Sequence, residues 1–362
     1  MTDARHATIY YAGFAFRGGG AFMHAQLLTK ELQRSGWEVR LISLESLPLP
    51  VRYLPHVVSR LVNLFARPMG LYYKDRMTRF LYRFIFDSDA DLLVFEDIYL
   101  AWNSPTPSVT LLHAVWSDNL QAFSIEAPAV ARLVAAEERA IDGIAHPIVT
   151  VSDQYRDFLV QSHGNSHRLP AATVIPLGID VTEFAGAAPA AGAPKSLVFC
   201  GSLEARKNLR FLLDVFRRLH REDDAYRLTI IGDGPDKAEL ERYATEHALP
   251  VTFRGRLGRA DLVQELRRHS IYVHPSVKES FSFALLEAKL SGLKTVAYVG
   301  LEVPAEFIDV TVEGFDEADW LGAILAADTT PSKPLDAATY SSRRMARETV
   351  DLAFADHESP SS

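Results

Sequence analysis

Two glutamates with seven residues between them form the most specific candidate site in the chain. Glu279 follows a short strand that ends in His274-Pro275-Ser276, and Glu287 lies one turn into the next helix. Backbone N–H groups at the start of that helix are suited to face a phosphate group. The two carboxylates can then reach different parts of one ligand. The alternative for either glutamate alone is a helix-capping role.

A pair of cations forms a second candidate site. Arg206 and Lys207 lie in the segment GSLEARKN, residues 201–208, which follows a predicted strand and opens a helix. Two cations at a helix N-terminus, which carries partial positive charge itself, are suited to neutralise a diphosphate. Because basic side chains oppose the helix dipole there, a solvated pair without a ligand is the weaker explanation.

The first half of the chain contributes a glycine cluster and a histidine. Gly19 and Gly20 stand between a predicted strand and a helix, where the lack of Cβ atoms lets backbone N–H groups approach an anion. The spacing fits neither the dinucleotide-binding pattern nor the P-loop, so a flexible turn is the alternative. His113 closes an apolar strand, where a histidine can form hydrogen bonds or handle protons near neutral pH. A structural role is the alternative for His113.

The elements that position these residues alternate between short β-branched runs and helical patterns, which predicts β-α-β units and parallel sheets. Strands are predicted at Thr8–Phe14, Glu38–Leu44, Asp91–Glu96, Val109–His113, Pro147–Val151, Thr173–Pro176, Ser196–Cys200, Arg227–Gly232, Val251–Arg254, Ser270–His274 and Lys294–Tyr298. Residues 185–194 are all Ala, Gly or Pro, so they have no side chains able to specify a packed element. That run predicts a linker.

The fold class predicted from this alternation is α/β, with two doubly wound Rossmann-like domains facing a central cleft. The boundaries are residues 1–184 for the first domain, 185–195 for the linker and 196–340 for the second domain, followed by a C-terminal helix and tail at 341–362. In open α/β folds, ligands bind beyond the carboxyl ends of the strands. All the candidate residues above lie near such ends.

Composition excludes several classes of protein. The 362 residues correspond to two or three domains at about 150 residues each. Hydrophobic residues make up 48% and charged residues 23%, which is typical of a folded protein. The net charge of −8 leaves no global basic field for nucleic acid. The single cysteine, Cys200, excludes an intramolecular disulfide and a cysteine-based metal cluster within the chain.

The expected localisation is cytoplasmic. One cysteine is consistent with a reducing compartment, and no apolar run approaches the roughly 18 residues that a membrane-spanning helix needs. The first residues also lack the apolar core of a signal peptide. The basic and aromatic segment 46–86 leaves open a peripheral location on the inner face of the membrane.

The segment 46–86 is basic and aromatic within an acidic protein. It contains seven Lys or Arg residues and one acidic residue, Asp75, for a local net charge of +6. One interpretation is a helical insertion that packs on its own domain with solvated arginines. The other is a surface that contacts an anionic lipid headgroup or a negatively charged acceptor. The two interpretations are compatible.

With these motifs in place, the chain resembles retaining glycosyltransferases of the GT-B fold, in glycosyltransferase family four, also described as glycosyl transferases group 1. The resemblance covers nearly the whole chain and is strongest over Ser196–Glu306. It rests on the Gly19-Gly20 loop with His24 after it, the segments Val174–Asp180 and Ile230–Pro235, His274-Pro275-Ser276, the two-glutamate motif and the segment Gly300–Glu306.

This resemblance implies a nucleotide diphosphate sugar as donor substrate, with no cofactor. Lys207, with Arg206 beside it, would bind the donor diphosphate, and Glu287 would bind the nucleotide ribose. Glu279 would contact the donor sugar near its 3-hydroxyl group. His113 matches a histidine that lies near the reacting sugar in the family.

The remaining implied contacts are made largely by backbone groups. Ser282, Phe283 and Ala284 would support the phosphate and the sugar, while Gly20, after Gly19, would lie by the phosphate. Arg256 is placed near the base. The second domain would thus bind the donor, and the first domain, where the sequence is least typical of the family, would bind the acceptor.

The chain departs from the family pattern at two places. Gly201-Ser202 stands where many relatives have Gly-Arg, so Arg206 is the candidate substitute for a missing arginine. Ser280 and Ser282 stand where the motif usually has glycine. Serines at close backbone approaches would narrow the donor pocket or weaken activity.

The reaction implied is transfer of a sugar with retention of anomeric configuration. No divalent metal is expected, because no D-x-D motif follows a strand at the cleft; Asp87-Ser88-Asp89 is interpreted as a helix-end loop. The expected acceptor is a lipid-linked or surface glycan in polysaccharide or lipopolysaccharide assembly. The alternatives are a soluble natural product or metabolite as acceptor, a catalytically silent nucleotide-sugar-binding protein, and an epimerase of related fold.

Overall fold

The structure, a computed structural model, describes residues 5–15, 19–67, 69–86, 89–121, 127–184 and 195–358. The chain divides into two compact units, Met1–Asp180 with Ala338–Ser362, and Val181–Ala337. Each unit contains a six-stranded sheet, and every strand pair in both sheets is parallel. The predicted class of two doubly wound α/β domains is therefore confirmed. Asp87 and Ser88, part of the D-x-D interpretation, lie outside the described residues, as does the predicted linker 185–194.

The first unit is built around a sheet with strand order β2-β1-β3-β4-β5-β6. The strands are β1 His6–Tyr10, β2 Glu38–Ile42, β3 Leu92–Phe95, β4 Ser108–Leu112, β5 Ile148–Thr150 and β6 Thr173–Val174. Its helices are α1 Gly20–Arg34, α2 Leu54–Phe65, α3 Gly70–Ile85, α4 Trp116–Gln121, α5 Ala127–Asp142 and α6 Asp153–Ser162. Strands β3 and β4 are buried at every residue, as expected for parallel strands covered on both faces.

The second unit has a sheet with strand order β12-β11-β10-β7-β8-β9. The strands are β7 Ser196–Cys200, β8 Arg227–Ile231, β9 Val251–Gly255, β10 Ile271–His274, β11 Lys294–Tyr298 and β12 Val310–Val312. Its helices are α7 Leu209–Glu222, α8 Lys237–Glu246, α9 Arg259–Leu266, α10 Phe283–Leu290 and α11 Glu317–Ala327. Strand β12, only three residues long, was not predicted.

Helix α7 shows how sequence pattern fixes these elements. Its buried residues recur at the three- and four-residue spacing of a helix that lies against a core; they are Leu209, Leu212, Leu213, Val215, Phe216 and Leu219. The helix therefore lies firmly on the sheet. That packing holds the preceding turn, which carries Arg206 and Lys207, at the carboxyl end of β7.

The last helix, α12 Ser342–Glu358, belongs to the first unit. The Ser342 hydroxyl donates a hydrogen bond to Glu31 on α1 at 2.9 Å, and Met345 is buried in the first unit's core. The backbone of Gly178 lies so close to Ser341 that a Cβ atom at Gly178 would lie 2.5 Å from the Ser341 carbonyl group. The sequence boundaries at 184 and 340 thus differ from the observed ones, since the chain returns to the first unit at residue 338.

No helix of the described residues is long and apolar enough to cross a bilayer.

Candidate functional site

A buried group of three side chains lies at the carboxyl edge of the first sheet. Glu96 directly follows β3, His113 directly follows β4, and His24 projects from α1. The Glu96 carboxylate lies 2.7 Å from Nε2 of His113 and 2.9 Å from Nδ1 of His24. The two imidazole rings are 5.0 Å apart. The structure thus brings His113 together with His24 through a carboxylate, Glu96, that the sequence analysis did not single out.

The charges in this group follow from burial and from the histidine contacts. Burial by itself would raise the pKa of Glu96, but His24 and His113 together lower that pKa to about 2. Burial lowers the pKa of His113, although Glu96 opposes the change. At neutral pH Glu96 is therefore a carboxylate and His113 a neutral imidazole. Glu96 accepts the Nε2–H proton of His113 in a hydrogen bond, which fixes the tautomer of that ring.

The same three side chains are also a ligand set that suits a divalent metal ion. One ligand atom from each of His24, Glu96 and His113 lies within 4.8 Å of the others. The hydrogen bonds just described account for these distances without a metal. The expectation of a metal-independent protein stays a prediction.

The second unit contains a carboxylate held by four donors. Glu279 accepts hydrogen bonds from the Ser276 hydroxyl at 2.8 Å, from Nε2 of His274 at 3.2 Å and from Nη1 of Arg206 at 3.4 Å. It also forms a salt bridge with Lys207. The Lys207 side chain is buried, whereas Arg206 is half-buried and contacts Glu204 at 2.7 Å. Glu279, Lys207 and Arg206, predicted separately from two motifs, are therefore in direct contact.

The cations and hydrogen-bond donors around Glu279 keep its carboxylate ionised. Burial on its own would raise the pKa of Glu279, but Lys207, His274 and Arg206 hold that pKa well below its usual value. Burial lowers the pKa of His274, so this ring is neutral at pH 7. Two cations thus lie at the carboxyl end of β7 with carboxylates as their partners. An incoming diphosphate can compete for the same cations.

Glu287, the second predicted glutamate, is buried and forms a salt bridge with Arg259, the first residue of α9. Arg259 also donates to Glu183 at 2.6 Å. Burial raises the pKa of Glu287, and Arg259 offsets this only in part. Arg259 was missed in the sequence analysis, which instead named Arg256. The sequence signal for Arg259 is a basic residue shortly after a strand and close to the start of the next helix, as at Lys207.

Arg256 is exposed, and neither Glu287 nor Glu279 contacts it. It follows β9, in which Thr252 and Arg254 are exposed and the residues between them are partly buried. Because side chains alternate along a strand, Arg256 continues the exposed series. Its placement near a base stays a prediction.

The predicted glycines and the predicted backbone contacts lie at the starts of helices α1 and α10. Gly19 precedes α1 with φ 117°, a backbone conformation that favours glycine, and Gly20 is the first residue of the helix. Residues 16–18 lie outside the described part of the chain. Phe283 and Ala284 form the first turn of α10, so their N–H groups lie at the positive end of that helix.

Of the two serines that replace glycine in the motif, only Ser282 takes a left-handed conformation, with φ 67°. Its hydroxyl accepts a hydrogen bond from the N–H group of Leu285 at 3.3 Å, which caps α10. The substitution of serine for glycine therefore adds a cap and adds backbone strain at the same residue.

We expect Ser282→Ala to lower the free energy of unfolding by about 1 kcal/mol, because the cap is lost while the left-handed strain remains. Ser282→Gly should be neutral or stabilising, since relief of about 1 kcal/mol of strain offsets the lost cap. Thermal denaturation of the wild type and both variants measures the order. An alanine variant as stable as the glycine variant would contradict this account of residue 282.

Comparisons with known proteins agree with the two-unit architecture. The family described as Glycosyltransferase Family 4 matches residues 18–183, and the family described as Glycosyl transferases group 1 matches residues 194–327. A phosphatidyl-myo-inositol mannosyltransferase from Mycobacterium tuberculosis is 29% identical over 214 residues, 54% of this chain and 54% of the relative. A glycogen synthase from the same organism is 29% identical over 209 residues, 57% of this chain and 49% of the relative. The chain spans about half the length of these curated relatives.

Solved structures show the same fold along the whole chain. Sucrose-phosphate synthase from Thermosynechococcus elongatus aligns with a TM-score of 0.67 at 16% identity, covering 98% of this chain and 96% of that one. Anabaena HepE, solved in complex with UDP and glucose, aligns with a TM-score of 0.61 at 15% identity, covering 98% of each chain. The predicted GT-B fold is confirmed.

Proposed function

Since the chain belongs to the glycosyl transferases group 1, of the glycosyltransferase family 4 type, we propose that it transfers a sugar from a nucleotide diphosphate sugar to an acceptor hydroxyl group, with retention of anomeric configuration. The observation that supports this most is the cluster of Glu279, Lys207 and Arg206 at the carboxyl end of β7. It combines two cations for a leaving diphosphate with a carboxylate for a sugar hydroxyl group.

In this proposal the bond between the anomeric carbon and the diphosphate oxygen breaks while a bond to the acceptor oxygen forms. Negative charge grows on the leaving diphosphate, and positive charge fixed beside it stabilises the transition state. Lys207 and Arg206 supply that charge, together with the N-terminus of α10. The proton of the acceptor hydroxyl group passes to a leaving phosphate oxygen, so no side-chain nucleophile is required.

We further propose that His113 positions the donor sugar as a neutral imidazole. Its Nε2–H group is already engaged by Glu96, and that contact fixes the orientation of the ring. A neutral histidine can hydrogen-bond a sugar hydroxyl group without adding charge to the reacting centre. In this role Glu96 acts through His113 and is a positioning residue.

The proposed acceptor is a lipid-linked or surface glycan, and the proposed location is cytoplasmic. The names of two relatives refer to lipids: the mannosyltransferase above, and an alpha-monoglucosyldiacylglycerol synthase from Streptococcus pneumoniae that is 23% identical over 252 residues. The similarity to a glycogen synthase keeps a soluble polysaccharide as the second candidate. Turnover assays with lipid-linked and soluble acceptors distinguish the two.

A binding screen tests the donor site directly. The nucleotides UDP, GDP, ADP, CMP and dTDP, with their common sugar conjugates, are titrated by calorimetry and thermal shift against the wild type and Glu287→Ala. We expect one nucleotide diphosphate to bind the wild type and to bind Glu287→Ala about 10- to 100-fold more weakly, because hydrogen bonds from a ribose to a carboxylate are lost. Glu246→Ala, at an exposed position on α8, is the control.

The screen also distinguishes a glycosyltransferase from a scaffold without catalytic activity and from a catalytically silent binder. If no nucleotide binds the wild type, the donor-site assignment is wrong and a scaffold without catalytic activity becomes the better account. If a nucleotide sugar binds but is neither transferred nor slowly hydrolysed without acceptor, the chain is a catalytically silent binder.

A further inference from the structure

A pocket of about 290 Å³ lies beside helices α3 and α5 of the first unit, away from the residues discussed above. Three arginines line it: Arg76 and Arg79 on α3, and Arg139 near the end of α5. Tyr72 and Trp102 provide aromatic walls. The pocket is therefore a concave site with three guanidinium groups.

None of these three guanidinium groups forms an ion pair or a hydrogen bond with any residue that the structure describes. The nearby acidic groups on the same helices are engaged elsewhere: Asp75 contacts Lys74 and Trp116, and Asp142 accepts from Ser166. Burial and repulsion by Arg76 and Arg83 lower the pKa of Arg79 to about 10. Three arginines gathered without a carboxylate indicate a site that takes an anion with several oxygens.

The helices that hold this pocket also present apolar side chains to solvent. On α3, Phe80 and Phe84 stack one helical turn apart, and Phe84 is 80% exposed. On α2, Leu61, Leu64 and Phe65 are exposed, and Phe65 is 90% exposed. Large apolar side chains exposed on two helices that pack together indicate a contact with a partner or a membrane.

The spacing along α3 places the two kinds of residue side by side. Tyr72, Arg76, Arg79 and Arg83 recur every three or four residues and share one stripe of the helix, and Tyr73, Met77, Phe80 and Phe84 share the adjacent stripe. A helix with a basic stripe beside an aromatic stripe is typical of segments that lie in the membrane interface. Arginine then meets lipid phosphate while the aromatic rings enter the acyl boundary.

We propose that α2 and α3 dock on an anionic bilayer and that the pocket of Arg76, Arg79 and Arg139 binds the phosphate of a lipid headgroup. Charge complementarity supports this occupant, since residues 46–86 carry a net charge of +6 within a chain of net charge −8. A second copy fits less well, because a two-fold interface would bring the same arginines against each other. The inference does not depend on the sugar transfer proposed above.

Sedimentation with lipid vesicles tests the proposal on the full chain. Vesicles of phosphatidylcholine alone are compared with vesicles that also contain phosphatidylglycerol. We expect binding only in the presence of phosphatidylglycerol, and weaker binding as salt is raised. Equal binding to both vesicles, or to neither, would overturn the proposal.

Variants locate the binding site. The combined substitutions Arg76→Gln, Arg79→Gln and Arg139→Gln should weaken vesicle binding roughly a hundredfold, since each basic group near an anionic surface contributes about fivefold. The control removes the same charge from exposed positions outside the pocket: Arg221→Gln, Arg242→Gln and Arg347→Gln. Equal losses in both triple variants would show a diffuse charge effect and refute the pocket.

Two further measurements check the folding of the pocket variant and the contribution of the exposed phenylalanines. Circular dichroism checks that the pocket variant folds, and Arg139→Gln alone, at an exposed position on α5, replaces the triple variant if it does not. Phe80→Ser with Phe84→Ser should weaken vesicle binding while leaving its dependence on phosphatidylglycerol intact. A stable dimer in sedimentation velocity that the phenylalanine variant abolishes would assign this face to a second copy instead.

Discussion

Replacing Lys207 with methionine is expected to slow sugar transfer by about 10²–10³-fold, the usual effect of removing one group that stabilises developing negative charge. The Lys207 ammonium is buried beside Glu279, so the diphosphate cannot recruit a replacement cation from solvent without rearrangement. Arg206, which is half-buried, remains and sets the residual rate. Initial rates at saturating donor, once the screen has identified it, measure the change in kcat.

The control for this substitution is Lys237→Met, which removes a lysine from the start of α8, and it should leave kcat unchanged. A second variant separates catalysis from the salt bridge. If Lys207 only compensates Glu279, then Lys207→Met combined with Glu279→Gln should recover near wild-type donor affinity and rate. We expect no recovery of kcat, because the charge beside the leaving group is still missing. Recovery would contradict the proposed role of Lys207.

The second large effect is expected at Glu96. Replacing it with leucine should lower the free energy of unfolding by about 3–5 kcal/mol, because two buried histidines lose the carboxylate that accepts their N–H groups. Urea denaturation followed by tryptophan fluorescence measures the loss, with Glu38→Leu at an exposed site as the control. Glu96→Gln keeps one acceptor oxygen and should lose less. A leucine variant as stable as the wild type would mean that this hydrogen-bond network contributes nothing to folding.

Glu96 also predicts a pH dependence of stability. Its pKa is about 2 in the folded chain, whereas the pKa of an unperturbed glutamate is 4.5. A group whose folded pKa is lowered stabilises the fold above its unfolded pKa. That contribution should therefore be full above about pH 4.5 and should disappear as the pH falls towards 2. The Glu96→Gln variant should show a flatter stability profile across the same range.

Local sequence patterns predicted most of the architecture because parallel strands and their helices have strong signals. The exceptions have physical causes. Strand β12 is three residues of Val-Thr-Val, too short for a pattern to distinguish it from a loop. The predicted first strand extends to Phe14, yet the observed one ends at Tyr10, since residues 11–14 leave the sheet. The attachment of α12 depends on contacts such as Ser342 with Glu31, separated by 311 positions.

The same distinction between local patterns and distant contacts separates the candidate site residues that could be predicted from those that could not. Lys207, Glu279 and Glu287 could be proposed from the sequence because their motifs are compact in sequence. Glu96 and Arg259 were missed because each is recognisable only by its contact with a side chain on another element. Glu96 contacts His24, 72 positions away, and Arg259 contacts Glu287, 28 positions away. The exposed position of Arg256 follows from strand alternation, which a motif match does not consider.

The return of the chain to its first unit has a consequence for biosynthesis. Because residues 338–358 complete a core that begins with β1, this core lacks Met345, Ala346 and Ala353 until the whole second unit has been translated. The second unit, Val181–Ala337, is contiguous and can fold as soon as it leaves the ribosome. Of these two units, the one whose synthesis begins first is therefore completed second. Nascent chains released before residue 338 would expose its unfinished apolar surface to chaperones and proteases.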